Sequence, residues 1–229
     1  MLTSKAERIS LAGVSVSLIG PVGAQLGLRP ASAFSSFLAG ALVGGVGAAY
    51  GLIRAWRRGS AAPTRAEGYR AAALGAIPIL LSVAGALSGR GAPRINDVST
   101  DLVQPPPFSR AVQYPDAFKP VVAEHYAHLA PLRTPLEAAE AFRRAVVVAR
   151  GVSDWELTRV DAANTSFEAV ATTRLFRFKD DVAVRVSAEG SGARVDMRSR
   201  SRFGKGDLGA NAVRIRRYFT LLRPQIEAR

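Results

Sequence analysis

The sequence predicts a membrane-anchored α+β protein, with three transmembrane helices followed by a two-layer sandwich of a four-stranded antiparallel sheet with helices. Three observations support this class. Uncharged apolar runs recur within the first 88 residues, four alternating runs follow between residues 155 and 200, and a helical pattern lies on each side of those four runs. Helices that flank consecutive strands favour an antiparallel sheet with helices on one face.

The apolar runs cover residues 9–28, 31–53 and 71–88, and each is long enough to cross a bilayer. Core helices of a soluble domain are also apolar, but three such runs in succession favour a transmembrane region over residues 1–89. Glycines recur at helical spacing in the second run, which predicts close packing of these helices on one another or on a partner's helices. The glycines are Gly40, Gly44, Gly47 and Gly51.

The distribution of basic residues predicts the orientation. Lys5 and Arg8 precede the first run, and five arginines lie in residues 54–70, between the second and third runs. Because basic loops stay in the cytoplasm, the N-terminus is expected there and the C-terminal domain in the periplasm of a bacterium. The sequence "ASA" at Ala31–Ala33 resembles a signal-peptidase site, but the long apolar run before it favours a retained helix.

The remainder of the chain divides into an extended linker over residues 90–115 and an α+β domain over residues 116–229. Pro105–Pro107 favour an extended conformation in the linker. A helix is predicted over residues 134–151, capped by Thr134, and a last helix over residues 208–222. Between them, the predicted strands are residues 155–162, 166–173, 182–189 and 193–200.

Composition limits the chemistry. The chain has no cysteine and two histidines, His125 and His128, so it lacks thiolate ligands for zinc or iron–sulfur clusters, and no cofactor is expected. Together with Glu124, the two histidines would supply only three candidate ligands, which is weak evidence for a metal site. The formal net charge of +13 predicts an anionic partner. Because the basic domain is expected in the periplasm, where nucleic acid is scarce, membrane lipid or an acidic protein is favoured over nucleic acid.

The stretch "RFGKGDLGAN" at residues 202–211 contains the spacing G-x-G-x-x-G, which occurs in dinucleotide-binding folds. That fingerprint requires a strand before the glycines and another strand after the following helix. Here no strand is predicted after the last helix, so the glycines are interpreted as a tight turn, with Asp207 as the N-cap. An anion at the helix start, near Arg202 and Lys205, is the functional alternative.

Two groups of residues are candidates for a binding or catalytic role. The first is a set of basic residues that would bind an anion, a lipid headgroup or a partner, unless they form only a solvated sheet face: Arg198, Arg200, Arg202, Lys205 and Arg214. The second is a polar cluster that would bind calcium or magnesium in a hydrolase, unless its members pair with arginines and hold the linker on the sheet: Asn96, Asp97, Asp180, Asp181, Asp207 and Asn211. Asp180 and Asp181 are adjacent, so a strand would place them on opposite faces.

Residues 90–225 resemble a bacterial and plastid family known by its domain of unknown function, number 1499 (DUF1499). Three blocks carry the resemblance in order: "PRINDVSTD" at residues 93–101, "TTRLFRFKDDVAVRV" at residues 172–186 and "RSRSRFGKGDLGANAVRIRRY" at residues 198–218. The resemblance implies a membrane-anchored or exported domain and assigns no catalytic residue.

The expected function is therefore a non-catalytic accessory subunit of a larger membrane complex, respiratory or photosynthetic, in a bacterial inner membrane. Its helices would pack on other integral membrane subunits, and its periplasmic domain would brace the outer face of the complex. A lipid- or anion-binding module at the membrane surface and a divalent-metal-dependent hydrolase are the two alternatives.

Overall fold

The computed structural model describes residues 4–57 and 61–227, which form two compact units. The first unit contains residues 1–90 and the short segment 174–177. The second contains residues 91–173 and 178–229. The segment expected to be a linker, residues 90–115, therefore lies almost entirely within the second unit.

The first unit is built from three helices: α1 (Lys5–Gln25), α2 (Pro30–Trp56) and α3 (Ala62–Ser88). Ser4 and Glu7 form a capping box at the start of α1, where each side chain accepts a hydrogen bond from the other residue's backbone amide. Pro30 occupies the first turn of α2, where its missing N–H is not needed.

Glycines set the distances between these helices. A Cβ added at Gly75 of α3 would lie 2.1 Å from the carbonyl oxygen of Gly44 in α2. A Cβ at Gly40 would lie 2.2 Å from the backbone nitrogen of Ser17 in α1. Gly47 and Gly51 make similar approaches to α1 and α3. The glycine face of α2 is therefore used for packing inside the helical unit.

Among the described residues, two helices are long and apolar enough to cross a membrane by length and composition, α2 and α3, with mean hydropathies of 1.7 and 2.0. The expectation of three spans is therefore wrong. The run that α1 was expected to contribute includes Ser10, Ser17 and several glycines, which are buried against the other two helices and make it less apolar.

The second unit is an antiparallel sheet with three helices. In chain order its elements are β1 (Asp97–Ser99), α4 (Phe118–His125), β2 (Leu132–Thr134), α5 (Ala138–Arg150), β3 (Trp155–Asp161), β4 (Ser166–Thr172), β5 (Lys179–Glu189), β6 (Gly192–Ser201) and α6 (Ala210–Glu227). The spatial strand order is β1-β6-β5-β4-β3, and β2 also pairs with β6.

The four strands predicted from alternation are confirmed as β3 to β6, but the sheet has six strands among the described residues rather than four. The two additional strands have three residues each, too short for alternation to be recognised. Thr134 does not cap α5. It lies in β2 and donates a hydrogen bond to the carbonyl of Ile226, and α5 begins after Glu137.

The core lies between α5, α6 and one face of the sheet. Each element contributes apolar residues that are almost completely buried: Phe142 and Ala145 from α5, Ile215 and Leu222 from α6, and Phe167, Val184 and Met197 from the sheet. The last helix, predicted over residues 208–222, instead runs from Ala210 to Glu227, and Leu208 and Val213 are exposed rather than part of this core.

Candidate functional site

β6 carries two of the five basic residues identified in the sequence, Arg198 and Arg200, and the alternation of the strand places both on one face of the sheet. Ser199 and Ser201 face α6, whereas Arg198 and Arg200 point to the opposite face. Residues 100–114, here called the covering segment, lie across that opposite face. The interpretation of a solvated sheet face is therefore wrong at Arg198, which is buried.

Arg198 is the centre of this arrangement. Its Nε and Nη2 donate hydrogen bonds of 3.0 and 2.7 Å to the two carboxylate oxygens of Asp97 in β1. The guanidinium carbon lies 4.6 Å from the ring centre of Phe108 and 5.2 Å from that of Tyr114. Nη1 donates to the carbonyl of Val112 at 3.2 Å. Arg198 thus holds the covering segment on the sheet.

Burial dominates the electrostatics of this centre. It raises the pKa of the Asp97 carboxyl, and the hydrogen bonds from Arg198 oppose that shift. Burial also raises the pKa of the Tyr114 hydroxyl, and the neighbouring Asp97 charge adds to the effect. Arg198 is committed to Asp97 and two aromatic rings, so an anionic ligand would have to displace these contacts.

Three other members of the basic set, Arg200, Arg202 and Arg214, also face carboxylates. Arg202 donates two hydrogen bonds to Asp181, and Arg110 of the covering segment contacts the second oxygen of the same carboxylate. Arg200 lies 3.7 Å from the Asp97 carboxylate. The fifth basic candidate, Lys205, is an exposed side chain in the loop that follows β6.

A second polar network lies on the helix face of the sheet and joins β5, β6 and α6. Arg214 pairs with Asp180 at 2.5 Å and donates to Asn211 Oδ1 at 2.6 Å. Asn211 also accepts a hydrogen bond from Ser199 and donates to Ser201 and to the carbonyl of Asn96. This amide is completely buried and fully hydrogen-bonded.

The structure separates the expected polar cluster into these two networks. Asp180 and Asp181 lie on opposite faces, as adjacent strand residues should, and each carboxylate faces an arginine. Within residues 4–57 and 61–227, no group of three His, Asp or Glu side chains is arranged to hold a metal ion. His125 ends α4 and lies with Nδ1 3.2 Å from the carbonyl of Val121, while His128 follows in the next turn.

Sequence reasoning missed a third cluster, at the beginning of the covering segment. Asp101 accepts a hydrogen bond from Arg185 at 2.9 Å and lies 3.2 Å from Arg194. Asp196 accepts from Arg194 and from Thr100. The alternation of Arg194 with Asp196 was visible in the sequence, but the pairing with residues 100–101 depends on the path of the covering segment.

A groove of about 390 Å³ lies between the covering segment and strands β3 to β5. Ser109 closes one side of it, because its backbone amide and hydroxyl both donate to the carboxylate of Glu168. Arg159, Asp161 and Asn164 line another side and hydrogen-bond among themselves. The groove is thus lined by side chains of both charges that already pair with one another.

The glycine-rich stretch forms the loop between β6 and α6. Gly204 and Gly209 have left-handed backbone angles, with φ of 85° and 82°, which glycine adopts without strain. The Asp207 carboxylate accepts hydrogen bonds from the backbone amides of Gly209 and Asn211, but α6 begins at Ala210, so Asp207 caps the helix start from two residues before the N-cap position, not as the N-cap that was predicted. In the described part of the chain α6 is the last element, so the loop lacks the second strand of a dinucleotide-binding unit.

Comparison with known proteins identifies the second unit. The family model described as "Protein of unknown function (DUF1499)" matches residues 97–222, which is more than half of the chain and confirms the resemblance found in the sequence. No curated protein gives a significant match. The crystal structure of Ara h 8.0201 is similar over 42% of this chain and 93% of that chain, with 10% identity and a TM-score of 0.33. A similarity this low supports no inference about the fold or the function of this chain.

Proposed function

This chain belongs to the DUF1499 family, and we propose that it is a membrane-anchored, non-catalytic accessory subunit of a larger membrane protein complex. In this proposal α2 and α3 anchor the chain, and the DUF1499 unit acts through binding. The observation that carries the proposal is the division of side chains in the helical unit: small residues face inward and large apolar residues face outward.

The outward surface of these helices is unusually apolar for a protein in water. Its exposed large side chains include Leu18, Ile19 and Val22 of α1, Leu42, Val46 and Ile53 of α2, and Leu80, Leu81 and Val83 of α3. Soluble proteins rarely expose a contiguous apolar surface of this kind, whereas lipid tails or partner helices would cover it favourably. The glycines are engaged within the unit, so a partner would contact the large residues.

The proposed orientation follows from the loop between α2 and α3. Its arginines would keep the loop in the cytoplasm, and one crossing by α3 would place the DUF1499 unit on the other side. In a bacterial inner membrane that side is the periplasm. This orientation depends on the loop and α3, and it does not need a third span.

A binding role agrees with the polar chemistry of the DUF1499 unit. Asp97, Asp180 and Asp181 each pair with an arginine of β6, the following loop or α6. Carboxylates engaged in this way position the covering segment and α6 against the sheet. A hydrolase that used Asp180 and Asp181 together would require both on one side of the sheet.

The proposal is tested by purifying the tagged full-length chain from native membranes in mild detergent and identifying co-purifying proteins by mass spectrometry. A stoichiometric set of integral membrane subunits is expected. A matched variant, Leu42→Ala with Val46→Ala, truncates the outward face of α2 without touching the glycine contacts, and it should reduce that recovery. Isolation of the wild-type chain alone and monodisperse would overturn the proposal.

A further inference from the structure

The loop of residues 202–209 exposes two large apolar side chains that the fold does not use. Leu208 is 59% exposed and Phe203 is 52% exposed. Phe203 stacks on the half-buried ring of Phe178, with ring centres 5.1 Å apart, so its outward position is fixed. Exposure of both side chains on one short loop indicates a surface that is covered by something else.

The backbone at Leu208 supports this interpretation independently. Leu208 has a φ of 54°, in the left-handed region where glycine or asparagine is usual and leucine is strained. Its exposed side chain gains little packing within the fold to offset that strain. Unfavourable conformations of this kind persist where a side chain is needed for a purpose other than stability.

Basic side chains surround the same loop. Lys205 lies at its tip, and Lys179 is adjacent, because the Arg202 amide donates to the Lys179 carbonyl. Arg94 is exposed beside Gly206, where an added Cβ would lie 3.4 Å from the Arg94 Cα. Apolar residues with flanking cations fit the headgroup region of an anionic bilayer, where the apolar groups enter the lipid and the cations meet phosphate.

The chain also tethers this loop. The Asp207 amide donates a hydrogen bond to the Ile95 carbonyl, and only residues 89–94 separate Ile95 from the end of α3 at Ser88. A fully extended chain of that length spans about 25 Å. If α3 crosses the bilayer, as proposed above, a tether of this length allows the loop to reach the bilayer surface.

From these observations we infer that the 202–209 loop is a membrane-contact element, which inserts Phe203 and Leu208 into the interface of an anionic bilayer. The inference rests on the proposed anchoring by α3 but not on the existence of a host complex. It assigns the strained Leu208 and the exposed Lys205 to lipid contact.

The natural absence of cysteine makes a direct test possible. Single-cysteine variants Phe203→Cys and Leu208→Cys of the full chain would be labelled with a fluorophore and reconstituted into vesicles of phosphatidylcholine and phosphatidylglycerol. Quenching by nitroxide-labelled lipids should be several-fold stronger at these positions than at Val147→Cys, a matched control on α5 that is 67% exposed. Vesicles without phosphatidylglycerol should give weaker quenching.

A second variant separates contact from folding. Leu208→Gly removes the side chain and the backbone strain together, so the unfolding midpoint should stay the same or rise. Removing one leucine side chain from the membrane interface should lower the membrane contact of the loop about tenfold. The label at position 203 reports this contact. Quenching by aqueous iodide but not by lipid, in protein that resists carbonate extraction, would overturn the inference and leave the anchor intact. Extraction of the whole chain by carbonate would overturn both.

Discussion

Arg198 and Asp97 are 101 positions apart in the chain and form a salt bridge in which the two side chains are 2% and 0% exposed. A buried ion pair is weak evidence for net stability, because desolvation of both charges offsets their attraction. The importance of this ion pair is that it positions other parts of the fold. The same guanidinium contacts Phe108, Tyr114 and Val112, so one residue fixes both β1 and the covering segment against β6.

Removing one partner of this pair should be strongly destabilising. Asp97→Asn leaves the Arg198 charge buried without a counter-charge, and we expect a loss of about 3–5 kcal/mol in the free energy of unfolding. The double variant Asp97→Leu with Arg198→Met removes both charges, and its loss of stability should be smaller than the sum of the losses in Asp97→Leu and in Arg198→Met alone. Denaturant unfolding followed by circular dichroism measures all of them. Additive losses would contradict the pairing.

The helical unit should not tolerate a side chain at Gly75. Gly75→Ala places a methyl group 2.1 Å from the Gly44 carbonyl oxygen, and the backbones must separate. We expect a loss of about 1–3 kcal/mol, seen as a lower melting temperature in detergent. Gly85→Ala in the same helix is the control, since its added Cβ would have no atom within 4 Å apart from the neighbouring backbone of α3 itself, and it should be neutral or stabilising. Equal melting of the two variants would show that the helices do not pack this way.

Asn211 should contribute to stability through its four side-chain hydrogen bonds. Asn211→Leu keeps the branched shape of the side chain but leaves Ser199, Ser201 and Arg214 without this partner, and we expect a loss of about 1–3 kcal/mol. Thr220→Ala, on the exposed side of α6, should change stability by less than about 0.5 kcal/mol. A tolerated Asn211→Leu would mean that the buried network is not required for the fold.

Release of the covering segment should be detectable by proteolysis. Glu168→Ala removes the acceptor of both Ser109 hydrogen bonds, and we expect trypsin to cleave after Arg110 about five- to tenfold faster in the folded protein. Glu156→Ala on the exposed edge strand is the matched control and should leave the cleavage rate unchanged. Faster cleavage of Glu156→Ala than of Glu168→Ala would show that Glu168 does not hold the covering segment on the sheet.

Divalent metal ions should not bind the aspartates of the sheet. Asp180 and Asp181 are engaged by Arg214 and Arg202 on opposite faces, so a cation would have to displace an arginine from each carboxylate. Calorimetric titration of the full chain with calcium or magnesium should give no saturable heat. Saturable binding that is lost in Asp181→Asn would revive the hydrolase alternative.

Local spacing in the sequence was enough to predict the periodic features of the fold. Alternation located the four long strands, apolar runs located the helical unit, and adjacency placed Asp180 and Asp181 on opposite faces. These features depend on local spacing, because a strand repeats every two residues and a helix every 3.6. The cap at Asp207 was also local, since its partners are two and four residues away.

The contacts between residues far apart in the chain could not be predicted from local spacing, because they depend on the path of the folded chain. Alternation put Arg198 on one face of β6, but burial of that face required residues 100–114 to fold back across the sheet and Asp97 to pair with it. A strand of three residues is too short to show a recognisable alternation, so β1 and β2 were not predicted. The glycine spacing in α2 predicted close helix packing but did not specify which helices pack there. The strained, exposed Leu208 was indistinguishable from a core leucine until the backbone angle and the exposed fraction were known.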